Sequence, residues 1–185
     1  MFRKYSFILM LSILAMPAFS ANSEKSSAYS KGVKILLQFH TMYGVNEPFL
    51  SHNPSVDSDP TVRGILGDYQ PWQIAKSVDG KLFSNGKLII NIKGLIFNNP
   101  PPANNDNDED HFRALVSCQT ASDGAASPFS TFITGPFPVH KPIGKGNANI
   151  KAQINHLPNP CLAPVVMILN GDHNEGDVWF AVTGN

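Results

Sequence analysis

Lys87-Leu88-Ile89-Ile90-Asn91-Ile92-Lys93-Gly94-Leu95-Ile96-Phe97 reads as a β-strand: Leu88, Ile90 and Ile92 fall on one face, Asn91 and Lys93 on the other. That period of two is the pleat of a strand with one dry side. Gly94 interrupts the pattern and marks a bulge or bend. Upstream, Trp72 to Val78 forms a second strand, and Asp79-Gly80 then Ser84-Asn85-Gly86 are turn signals that accept positive φ and favour hairpins. Downstream, Phe112 to Gln119 places Phe112, Ala114, Val116 and Cys118 on one face. Ala148 to Ile154 alternates Ala148, Ile150, Ala152 and Ile154 with Asn149, Lys151 and Gln153. Further strands are expected at Ile35 to Tyr43, Phe129 to Thr134, Cys161 to Leu169 and Val178 to Thr183.

Between the strands the chain is rich in breakers. Pro48, Pro54, Pro60, Gly64 and Gly67 make Asn46 to Gln70 a long loop, and Pro136 to Gly146 is a turn-rich connection. Asn98 to Asp110, with Pro100 to Pro102 and a run of Asn and acidic residues, is expected as a surface excursion. Asn170 to Asp177 is a polar loop. About eight short strands without an amphipathic helix predict an all-β fold: an antiparallel β-sandwich, with a small closed β-barrel as the alternative. Fifteen prolines and 14 glycines beside 15% charged residues suit that class better than a helical one.

The first twenty residues carry Arg3 and Lys4, an apolar run from Phe7 to Met16, and Ala18-Phe19-Ser20 before Ala21, the pattern of a cleaved secretory signal. The apolar run is half of what a membrane span needs, and no stable membrane anchor is expected. Residues 21–32 read as a flexible tether and 33–185 as a single domain. Losing Arg3 and Lys4 leaves 12 basic against 14 acidic residues, a balance without bias toward nucleic acid. The expected location is outside the cytosol, periplasmic or extracellular.

Export changes the meaning of the two cysteines, Cys118 and Cys161, which are expected to pair in an oxidising compartment. An immunoglobulin-type bridge is disfavoured, because Trp72 and Trp179 both lie outside the cysteine pair and Asn159 stands two residues before Cys161.

Chemistry is sparse. No Gly-x-Ser-x-Gly elbow is present, and Gly144-Lys145-Gly146 is too short for a phosphate loop. Histidines supply the metal candidates: His40, His111, His140 and His173, with Asp177, could assemble a site from distant strands although no His-x-His occurs. Asp106, Asp108 and Asp172 offer loop carboxylates, and Tyr69 and Trp72 could stack on sugars.

Several segments resemble a group of small exported microbial proteins with no assigned function: Gly44-Val45 with Pro48-Phe49-Leu50, Pro71-Trp72-Gln73-Ile74, Phe112 to Cys118, Leu157 to Pro164, and Trp179-Phe180-Ala181-Val182-Thr183-Gly184. The resemblance implies one domain and the disulfide, and supplies no catalytic residue. The expected function is an exported, non-enzymatic binding module for a protein, glycan or envelope component, acting through the three long loops without a cofactor. The alternative is a metal-binding protein or metal-dependent enzyme.

Overall fold

The computed structural model describes residues 32–46, 60–98, 106–120, 129–140, 142–171 and 176–184. The signal and tether expectations, His173 and Asp172 lie outside them. The fold is all-β. Its strands are β1 (Ile35–Phe39), β2 (Tyr43–Gly44), β3 (Thr61–Val62), β4 (Ile65–Gly67), β5 (Trp72–Phe83), β6 (Lys87–Phe97), β7 (His111–Gln119), β8 (Phe129–His140), β9 (Asn147–Gln153), β10 (Leu162–Asn170) and β11 (Val178–Val182). With β2, β3 and β4 only two or three residues long, the other eight match the expected number.

The strand order is β1-β5-β6-β9-β8-β7-β10-β11-β4-β3, and β2 pairs with β11. Two leaves result. β1, β5, β6 and β9 form one, and β7, β10, β11 and the short strands form the other. β8 belongs to both, pairing along most of its length with β7 and through Val139 and His140 with β9. On the opposite side, Val45 spans the leaves: its N–H donates to Phe180 O (2.9 Å) and its carbonyl accepts from Trp72 N–H (2.6 Å). That contact makes no ladder, and the sheet is open rather than a closed barrel. The pairing is antiparallel except where Val178 and Trp179 run parallel to Leu66 and Gly67.

Alternation builds the first leaf as read. Leu88, Ile90 and Ile92 are buried against Val78, Leu82, Ala148 and Ile150. Gly94 has φ 82°, facing the register shift between Ile74 and Ser77 of β5. The second leaf departs from alternation: Phe112 through Cys118 are buried without a break, including Arg113, Leu115 and Ser117, so β7 is covered on both faces.

Three expectations are corrected. Asp79-Gly80 is not a turn; β5 runs through it to Phe83, and the hairpin closes at Ser84-Asn85-Gly86 through Gly86 N–H to Phe83 O (2.9 Å). Gly80 instead lies under the Phe39 ring, where a Cβ would collide. Residues 136–140 extend β8 rather than connecting strands. Pro136 falls within the register shift between Phe112 and Ala114, where a ladder tolerates a missing donor, and Pro138 lies opposite His111 near the strand's end. The strand expected over Ile35 to Tyr43 stops at Phe39 and resumes as β2.

The two cysteines form a disulfide, Cys118–Cys161, joining the end of β7 to the chain entering β10. No helix among the described residues is long and apolar enough to cross a membrane.

Candidate functional site

Described end residues of the three loops singled out in the sequence come together. There, Asp68, Tyr69, Gln70, Trp72, Phe97, Asp108, Glu109, Asn170, Val178 and Phe180 line a cleft of about 440 Å³. Asp68, Tyr69 and Gln70 come from the end of the first long loop, Asp108 and Glu109 from the acidic stretch, and Asn170 and Val178 flank the third loop.

Aromatic stacking makes the wall. Trp72 lies parallel to Phe180 (centroids 4.1 Å apart, planes 21°) and tilts against Phe97 at 4.3 Å, while Phe112 meets Phe180 edge-on at 6.2 Å. Such arrays hold rings in fixed orientation. Trp72 is only 1% exposed, so it is a structural wall rather than an open stacking platform. Tyr69, 75% exposed, is the open aromatic. Its hydroxyl accepts from Gln70 Nε2 (2.8 Å).

Asp68 is the most constrained carboxylate. Its backbone N–H donates to Trp179 O (3.0 Å), and its Oδ2 accepts from Trp72 Nε1 (2.6 Å). Burial pushes its carboxyl above the usual aspartate range. Donors from Trp72 and the Gln70 and Tyr69 backbone pull the other way, and the charge on Asp108 adds to the rise.

The acidic stretch is anchored at residues 106–110. Asn107, buried, donates through Nδ2 to Leu95 O (2.7 Å) and accepts from Glu109 N–H (2.7 Å). Phe97 N–H donates to Asp106 O (3.0 Å). The described part of the expected surface excursion is thus pinned to β6. Asp106 and Asp108 are exposed.

Beneath the cleft, Arg113 is fully buried. Its Nε donates to Asn170 O (2.7 Å), one terminal nitrogen to Asn170 Oδ1 (2.8 Å), and the other to Asp177 Oδ1 (2.6 Å). Gly171 N–H donates to Glu109 Oε2 (3.3 Å). These bonds tie the acidic stretch and both ends of the third loop to β7.

The described metal candidates do not gather. His40 Nδ1 sits 2.6 Å from Asp79, His111 Nδ1 is 2.8 Å from Asp110, His140 Nε2 is 2.9 Å from Asn149 Nδ2, and Asp177 is bound to Arg113. Among the described residues, no three His, Cys, Asp or Glu side chains come together as a metal cage. Of the sugar and loop candidates, Tyr69, Trp72 and Asp108 converge on the cleft, whereas Asp106 contributes its backbone carbonyl to β6. Asp68 and Arg113 escaped the sequence reading. A carboxylate four residues before a tryptophan, and an arginine inside an apolar strand, were the available signals.

In comparisons with known proteins, no family model, no curated protein and no solved structure matches this chain.

Proposed function

We propose that this chain is an exported, non-enzymatic binding module whose three-loop cleft holds a hydrogen-bond-donating ligand, an envelope glycan in the first place. The observation that carries this reading is the convergence of Asp68, Asp108 and Glu109 with Tyr69, Trp72, Phe97 and Phe180 around one concavity. Carboxylates accept from hydroxyl and amine groups, and the exposed ring of Tyr69 fits the apolar face of a sugar ring, with the buried aromatic wall behind it holding the cleft's shape. A concave site of this size suits a small ligand or chain end better than a flat protein partner. No Lys, Arg or His lines the cleft among the described residues, so its charged groups are all acceptors, matched by donors on the ligand. The disulfide supports work in an oxidising compartment.

An array of microbial envelope oligosaccharides, probed with the wild type and with Tyr69→Ala and Asp108→Ala, tests this. The expected result is selective capture by the wild type, weakened tenfold or more by either substitution with melting unchanged. Capture indifferent to both would move the site elsewhere. About one equivalent of bound metal in protein isolated without chelators, with capture abolished on its removal, would favour the metal-binding reading instead.

A further inference from the structure

The outward face of the first leaf carries an ordered transverse row. His40, just beyond β1, bonds Asp79 of β5 (2.6 Å); Asp79 pairs across the ladder with Asn91 of β6; Asn91 pairs with Asn149 of β9; and Asn149 bonds His140 of β8 (2.9 Å). Polar side chains therefore cross five neighbouring strands in line, about 19 Å at ordinary strand spacing. Gln38 Nε2 braces His40 Nε2 at 3.1 Å. All five row residues are exposed.

Cations flank the row. In the next register, Lys81 pairs with Ile89 and Ile89 with Lys151; Lys93 lies on the other side opposite Ser77, and Lys87 pairs with Gln153. These four lysines are exposed, while Asp79 is the acid within the row and is held by His40. Gln38, His40, Asp79, Lys81, Ile89 and Asn91 line a shallow hollow of about 420 Å³ there, sharing no residue with the cleft. The near-neutral whole-chain balance hides this separation, with carboxylates at the loop end and lysines on the sheet face.

We infer that this face docks an extended acidic polysaccharide, laid across the strands. The asparagines and histidines meet the hydroxyls, and Lys81, Lys93 and Lys151 meet the carboxylate, sulfate or phosphate groups. Charge complementarity selects a polyanion. The polar row, with Ile89 as the apolar member of the hollow, offers nothing to insert into a lipid surface. The hydrogen bonds already made within the row reduce the ordering cost of binding. An acidic chain is repelled by the carboxylates of the cleft, so face and cleft serve different ligands, and the module is moored on one while holding the other.

Polygalacturonate, neutral dextran, a DNA duplex and anionic lipid vesicles are the probes, tested by sedimentation or calorimetry at low salt. Polygalacturonate is expected to bind and dextran not to. Lys81→Glu with Lys151→Glu should weaken binding tenfold or more, and Asn91→Ala several-fold at unchanged charge, both with unaltered melting. Absence of polygalacturonate binding, equal binding of DNA or vesicles, or unimpaired binding by the double variant would overturn the inference.

Discussion

At the residue scale, half-buried Asp68 and buried Arg113 set the cleft's behaviour. Burial raises the folded-state pKa of Asp68 above that of the unfolded chain, so the folded protein binds that proton more tightly and stability falls as pH rises through the interval between the two. Asp68→Asn removes the charge while keeping an oxygen to accept from Trp72 Nε1. The variant should melt higher than the wild type at neutral pH, and the difference should vanish near pH 3, where aspartate is protonated in both states. Parallel melting curves across that range would show that Asp68 carries no such penalty. Arg113 is the opposite case, a buried cation satisfied by Asn170 and Asp177. Arg113→Met takes the guanidinium donors away from the Asn170 carbonyl and Oδ1 and the charge away from Asp177, and should cost about 3 kcal/mol in urea unfolding. Asp177 is 42% exposed and can turn to water, which keeps the cost at the low end for a broken buried pair.

At the element scale, the strands easiest to read were those with one wet face. Lys87 to Phe97 appears as a strand with the bounds its alternation gives. β7 is located by its apolar run, but covering on both faces erases alternation, so Ser117 gives no sign of being interior and Arg113 only the weak one of a cation inside an apolar strand. Asp79-Gly80 misled for another reason: glycine both permits turns and admits a close ring, and sequence alone does not separate the two uses. Here the ring of Phe39 decides it. Gly80→Ala should displace that ring and lower stability by about 1–3 kcal/mol, whereas alanine at exposed Gly64, a turn position with φ 80° and open space around it, disturbs only the local turn. The disulfide, closing a separation of 43 residues, should contribute up to about 4 kcal/mol through the unfolded state. Replacing both cysteines with serine is expected to lower the melting temperature, and equal melting of oxidised and reduced protein would contradict it.

At the scale of the whole molecule, the three loops are legible as breaker-rich stretches, but the convergence of their described ends is not. It depends on a strand order in which β11 pairs with β10, β2 and β4 and lies beside β5, bringing Phe180 onto Trp72 and the Asp68 N–H onto the Trp179 carbonyl. Those contacts join residues more than a hundred positions apart, which local pattern does not encode. The same assembly converts Trp72 from a candidate contact surface into a buried wall, and leaves Tyr69 and Asp108 as the accessible groups. The most direct measurement is an amide NMR titration of the oxidised domain with the oligosaccharide that the array selects. The account predicts shifts concentrated at Asp68 to Trp72, Asp108, Glu109, Asn170 and Val178 to Phe180. Shifts confined to other surfaces, or no oligosaccharide held at all, would contradict it.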